Sequence, residues 1–163
     1  NRALGIGAVL ASMVDLSGKT KMLDVGGGPG TYSALFTQHN PGLQAVVMDL
    51  PPVVALADEI LNSMGARDRV TTLPGDYTDT PFPDGNDVVL ISGVFHRETE
   101  TSCRQLIAKA AGSLRPGGLL LISDVFTDNN GNGPLFATLF GLNMALSAPD
   151  GGVHVAADVG AGM

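Results

Sequence analysis

A chain of 163 residues with 44% apolar and 15% charged side chains has the composition of one globular domain with a single core, not of a disordered segment. Its net charge of -7 and isoelectric point near 4.6, with nine Lys and Arg residues dispersed along the chain, argue against a nucleic-acid partner, whose phosphates basic side chains must neutralise. The single cysteine, Cys103, cannot form an internal disulfide and no apolar run reaches membrane-spanning length, so a cytosolic protein without a membrane partner is expected.

The chain opens at Asn1 inside a helical pattern, small and apolar over residues 2–14. KMLDV (21–25) is a short buried strand ending in a glycine cluster, and residues 31–39 follow as a helix, with Thr31 placed to accept a backbone N–H at its start. LQAVVM (43–48) is a second strand, introduced by the Asn40-Pro41-Gly42 turn. A helix over about 52–64 stops at Gly65. RVTTLP (69–74) is the third strand and DVVLIS (87–92) the fourth, separated by a Pro-rich loop, 75–86. A helix over 100–114 leads into the Arg115-Pro116-Gly117-Gly118 turn and the most hydrophobic strand, LLLIS (119–123). One more helix is expected at 134–147, before a turn at Pro149-Asp150-Gly151-Gly152, soon after which the chain stops; both ends read as cut. Regular alternation of strands and helices implies an α/β fold, a doubly wound and mostly parallel sheet that binds ligands at the carboxyl ends of its strands.

Those strand ends carry the chemistry. Asp24-Val25-Gly26-Gly27-Gly28-Pro29-Gly30 lies between a strand and a helix, and Gly26, Gly28 and Gly30 let the backbone turn sharply, approach a ligand and leave N–H groups free at the helix start. By itself such a loop is equally a tight βα turn. Asp49, beside Leu50 at the end of the second strand, suits both ribose hydroxyls of an adenosine, with a cap ahead of Pro51-Pro52 as its alternative role. Asp76, after the third strand, suits an adenine amino group with Tyr77 beside the ring; an Asx turn is the alternative. A dinucleotide site wants GxGxxG under a pyrophosphate. Here the third glycine comes one position early and Asp24 precedes the loop, an acidic setting that favours the ammonium and sulfonium of S-adenosylmethionine.

LDVGGGPGTYSALFTQHNPGLQAVVMDLPPVV, GDYTDTPFPDGNDVVLISGVFHRETETSCRQL and SLRPGGLLLISDVFTD together resemble the catalytic domain of the small-molecule O-methyltransferases, the caffeate, acetylserotonin and bacterial polyketide type. The likeness runs from about residue 16 to 154. It implies a Rossmann-like methyltransferase domain over 1–163, with S-adenosylmethionine as cofactor, S-adenosylhomocysteine as product and no metal. It also implies a homodimeric full-length protein with an N-terminal dimerisation domain and C-terminal strands beyond this chain. By the resemblance Gly26 and Gly28 line the methionine part, Asp49 binds ribose, Asp76 and Tyr77 bind adenine, and Ser92 lies near the amino-acid group. The transfer expected is to a hydroxyl of a phenolic or polyketide-like small molecule.

His96, just past the fourth strand, suits a general base, since a hydroxyl attacks a methyl sulfonium far faster as an oxyanion and imidazole accepts protons near neutrality. It aligns with the His of the family's His-Asp-Trp segment, although Arg97 and Glu98 follow it here. Asp124 matches an acid that orients that base. A second such acid falls at His154, which puts a His held between two acids in doubt. Met144 resembles a position facing substrate, though a Met at helical spacing also suits a core. His39 reads as a surface cap and Cys103 as packed core, and these residues give no metal-ligand pattern. Two other readings stay open: a member that binds the cofactor without methylating, and an NAD-dependent oxidoreductase.

Overall fold

The computed structural model describes residues 2–161 apart from Gly131 and Pro149, so the Pro149 corner of the expected turn and the extreme ends of the domain lie outside the described residues. The order is α1 (Arg2–Met13), β1 (Lys21–Val25), α2 (Thr31–His39), β2 (Gln44–Asp49), α3 (Pro51–Ser63), β3 (Val70–Pro74) and β4 (Asn86–Ser92). A single 3₁₀ turn (Phe95–Arg97), α4 (Glu100–Ser113), β5 (Leu114–Ser123), β6 (Phe126–Thr127), α5 (Leu135–Ser147), β7 (His154–Val155) and α6 (Ala156–Ala161) complete it. Five strands pair in parallel in the order β3-β2-β1-β4-β5.

The period-2 alternation of strand side chains builds two cores from one sheet. Met22, Val88 and Leu90, joined by Leu119 and Leu121, face one way and pack with Ala11 of α1 and Ala34 and Phe36 of α2. Leu23, Val25, Val89 and Ile91, joined by Leu120 and Ile122, face the other way and pack with Cys103, Leu106, Ile107 and Ala110 of α4. The sheet is therefore doubly wound as expected. Because β1 sits between β2 and β4 while the chain runs first outward to β2 and β3, the loops after β1 and β4 part company. That leaves a crevice at the carboxyl edge.

Local reading fails at three places. Thr31 does not cap α2: Gly30 is the cap residue, in the left-handed region at φ 75, and Thr31 is buried inside the first turn. The left-handed geometry that only glycine takes cheaply turns the chain there, so no side chain is used. Second, the LLLIS strand starts earlier than expected. β5 begins at Leu114 and its pairing with β4 jumps from Asn86↔Leu114 to Val88↔Leu119, so Arg115–Gly118 bulges from a strand instead of preceding it. Third, the 3₁₀ turn, the two-residue ladder β6–β7 and α6 carry too few residues to show a period.

Candidate active site

Two open clefts meet at the carboxyl edge, and Gly93, which follows β4 at φ 70, lines both. The first is lined by Gly26 and Gly28 after β1, Asp49 and Leu50 at the end of β2, Asp76 and Tyr77 after β3, and Arg97, Glu98 and Asp150. Six positions expected at the cofactor thus meet on one wall. The second is lined by Ser92, His96, Asp124 and Met144 together with Tyr32 and Phe140. A smaller recess beneath the glycine loop joins Asp24, Gly26, Gly28 and Ser92. Gly30 stands apart from all three. A Cβ there would lie 2.9 Å from Leu61 Cδ2, so this glycine serves close packing of α2 against α3.

The amides of the glycine loop itself are taken. Gly26 and Gly27 N–H donate to Met48 O at 2.8 and 3.4 Å, Gly28 N–H to Asp49 Oδ2 at 2.8 Å, and Gly30 N–H to Gly27 O at 3.0 Å; Pro29 has none. The parallel β1–β2 pairing runs on past the end of β1 and takes the Gly26 and Gly27 donors. A carboxylate at Asp49 adds repulsion to the same spot. The loop is thus unsuited to a pyrophosphate, which counts against the dinucleotide reading.

Asp49 Oδ1 meanwhile accepts Leu50 N–H at 2.8 Å. Asp76 Oδ1 accepts from Thr78 N–H at 2.9 Å and from its hydroxyl at 2.6 Å, so the Asx turn weighed from the sequence is present at a residue that also lines the cleft. The Thr78 hydroxyl, then its amide, hold the Asp76 carboxyl below its ordinary range. Tyr77 donates its hydroxyl to Glu98 Oε1 at 2.7 Å, and burial, reinforced by that carboxylate, pushes its ionisation up. A Cβ on Gly26 would strike Val94 Cγ2 at 2.8 Å and touch the Tyr77 ring at 3.5 Å, so glycine lets the β1 loop lie against that ring.

Asp24 is 1% exposed; Oδ2 accepts the Ser33 hydroxyl at 2.7 Å, while the buried Oδ1 has no partner among the described residues. Burial raises its carboxyl from 3.8 to about 6, against the lowering effect of Ser33. A carboxyl whose folded pKa is raised contributes stability below the unfolded value, and this is lost as pH climbs through the folded one. Relative to an Asp24→Asn variant, the protein should therefore lose about 3 kcal/mol of unfolding free energy between about pH 4 and pH 7. Denaturant titrations of both forms across that range check it; a constant difference would mean the carboxyl ionises as freely folded as unfolded.

His96 and Asp124 form a close pair. The ring Nδ1 lies 2.8 Å from Asp124 Oδ1 and the backbone N–H of His96 is 3.2 Å from Oδ2, with the two side chains 18% and 3% exposed. A carboxylate only accepts, so Nδ1 carries a hydrogen and, in the neutral ring, the lone pair is on Nε2. Phe140 meets the imidazole edge to face at 5.1 Å. Half-buried Met144 lines the cleft with Phe140. His154 does not face the His96 ring. Its Nε2 lies 2.8 Å from Phe95 O and 3.1 Å from Glu98 O. Cys103 is buried, its thiol raised to about 12 chiefly by burial, and exposed His39 bonds back to Leu35 O, both as the sequence suggested. Among the described residues no group of three or more His, Cys, Asp or Glu side chains is placed to hold a metal ion.

A family model described as the O-methyltransferase domain matches residues 2–161. The chain belongs to this family. It is 38% identical over 135 residues to a 3-hydroxy-5-methyl-1-naphthoate 3-O-methyltransferase of Streptomyces sahachiroi, covering 83% of this chain and 39% of the relative. It is 33% identical over 144 residues to an L-tyrosine C(3)-methyltransferase of Streptomyces lavendulae, covering 88% and 39%. Among solved structures, an O-methyltransferase family 2 protein of Planctomyces limnophilus, complexed with apigenin, superposes with a TM-score of 0.92 at 30% identity, covering 99% of this chain and 50% of that one. The domain thus spans well under half the length of these curated relatives. The family is one of S-adenosylmethionine-dependent methyltransferases. No helix of this O-methyltransferase domain is, among the described residues, long and apolar enough to cross a membrane.

Proposed function

We propose that the intact protein transfers a methyl group from S-adenosylmethionine to a hydroxyl oxygen of a small phenolic or polyketide-like molecule, releasing S-adenosylhomocysteine. One observation carries the reading: Gly93 is a wall common to the acid-lined cleft and to the cleft that holds the His96–Asp124 pair. A methyl donor on one side and a hydroxyl on the other would meet there.

The residues present fit that cofactor. Asp49, Asp76, Glu98 and Asp150 give the first cleft an acidic lining for a cationic ligand, with Arg97 the one basic residue lining it among the described residues. A Cβ on Gly28 would meet nothing within 4 Å, so the loop lies open at that point. Asp49 would hold the ribose and Asp76 with Tyr77 the adenine. Gly26, Gly28, Ser92 and the orphaned Asp24 oxygen would flank the amino-acid end. When bound, the cofactor supplies an electrophilic methyl on a sulfonium. His96 Nε2 would take the hydroxyl proton, leaving the substrate oxygen nucleophilic toward that methyl. Asp124 holds the Nδ1 hydrogen and balances the imidazolium that results. Met144 and Phe140 would pack on the acceptor.

The same geometry suits methylation at a ring carbon beside a phenolate, and the similarity to a tyrosine C-methyltransferase favours it as the second reading. The reading also includes a cytosolic homodimer for the intact protein. In that dimer the apolar faces of α5 (Leu135, Leu139, Leu142, Leu146) and α1 (Leu4, Val9, Met13), exposed here, would be covered by the rest of the chain. Incubating the intact protein with methyl-labelled S-adenosylmethionine and a panel of phenols is the test, with the product analysed by NMR. Label on oxygen supports the first reading and label on ring carbon the second. S-adenosylhomocysteine binding without transfer to any phenol would leave a cofactor-binding member that does not methylate.

A further inference from the structure

We propose that His154 is a positioning residue for the His96–Asp124 pair, holding the 3₁₀ turn that carries His96 by two carbonyl oxygens while its own strand holds the segment that carries Asp124. The inference rests on the functional reading above. Family resemblance puts an acid at this position to steady the base directly, but the geometry gives the residue here a different target.

His154 Nε2 lies 2.8 Å from Phe95 O and 3.1 Å from Glu98 O, the carbonyls on either side of His96 and Arg97. The Cys103 Sγ lies farther off, at 3.6 Å. The two carbonyls only accept, so Nε2 carries a hydrogen and shares it between them. The ring stands edge to face with Phe95, centroids 6.2 Å apart, which fixes its plane. Two residues earlier, Gly152 N–H donates to His96 O at 3.0 Å. The turn has two backbone hydrogen bonds of its own, Arg97 N–H to Val94 O and Glu98 N–H to Phe95 O, and three carbonyls in it or directly after it, those of Phe95, His96 and Glu98, are gripped by the outside segment 152–154.

The same residue reaches the other member of the pair. Phe126↔His154 and Thr127↔Val155 form the β6–β7 ladder, and Thr127 Oγ1 donates to His154 O at 3.3 Å. β6 begins two residues after Asp124, whose carboxylate binds both the ring and the backbone N–H of His96. The connections close a circuit from His96 through Asp124, β6, β7 and His154 back to the turn. Movement of the turn against Asp124 would shift His96 Nε2 within the cleft. Misplacement of a catalytic group by about 1 Å costs about a hundredfold in rate.

A carboxylate at position 154 would face two carbonyl oxygens with no hydrogen to offer. Restoring the family's acid should therefore harm this enzyme. In the intact protein, His154→Glu and His154→Phe are expected to lower kcat about tenfold or more, with a smaller change in KM for the methyl donor. His154→Gln, whose amide can donate to both carbonyls, should stay within about threefold of the parent enzyme, since it keeps the hydrogen bonds. Amide exchange at His96, Arg97, Glu98 and Gly152, read without any acceptor substrate, should quicken in the Glu and Phe variants and not in the Gln variant. That measurement decides the positioning role even if no phenol is methylated. A Glu variant as active as the parent, or Glu and Phe variants that lose thermal stability with unchanged kcat and exchange at the turn, would overturn the proposal.

Discussion

Replacing His96 with Gln in the intact protein should lower turnover by about 10²–10⁴-fold, the contribution of a positioned general base, while S-adenosylhomocysteine affinity stays nearly unchanged. The expectation follows from the tautomer. Asp124 Oδ1 at 2.8 Å from Nδ1 keeps the hydrogen on that nitrogen and the lone pair on Nε2, in a side chain that lines the cleft adjoining the acid-lined one. Gln can still donate to Asp124 but is no base at neutral pH. Asp124→Asn should act in the same direction. An amide N–H turned toward Nδ1 would favour the Nε2–H tautomer, which cannot take the proton. Single-turnover rates with calorimetry for the product cofactor separate chemistry from binding. A Gln variant that methylates at the full rate would leave transfer to proximity alone.

Asp49→Ala should weaken S-adenosylhomocysteine by about 10²–10⁴-fold, from two charge-assisted hydrogen bonds worth about 1.5–3 kcal/mol each before compensation. Asp49 has a second duty in the unliganded fold, because its two oxygens accept Gly28 and Leu50 N–H at 2.8 Å each. Removing them releases the glycine loop, so unliganded stability should also fall, by about 1–3 kcal/mol. Asp49→Asn separates the two effects. Its carbonyl oxygen can keep one loop amide, so it should recover part of the stability and, lacking the charge, little of the affinity. Calorimetry and denaturant titration on the three forms check both quantities. Unchanged affinity in a folded Ala variant would leave Asp49 as a loop tether only.

The sequence alone determined the doubly wound sheet, because short apolar runs such as LQAVVM and DVVLIS, bounded by turn signals, alternate along the chain with longer helical stretches. It also determined which acids and which histidine stand at successive strand ends, since those positions follow from strand length. Four matters were settled only by tertiary contacts. The loop amides are taken by Met48 O and Asp49, Gly30 is set against Leu61, and β5 starts before the Arg115–Gly118 bulge. His154 is the clearest case. From its place in the sequence it reads as a substitute for an acid beside the base, yet it holds Phe95 O and Glu98 O from more than fifty residues away. Hydrophobic period is a local property that a strand or helix satisfies from its own residues. The partner of a hydrogen-bond donor is chosen by whatever chain the fold brings alongside, and at a site assembled from loops that choice is made across the whole sheet.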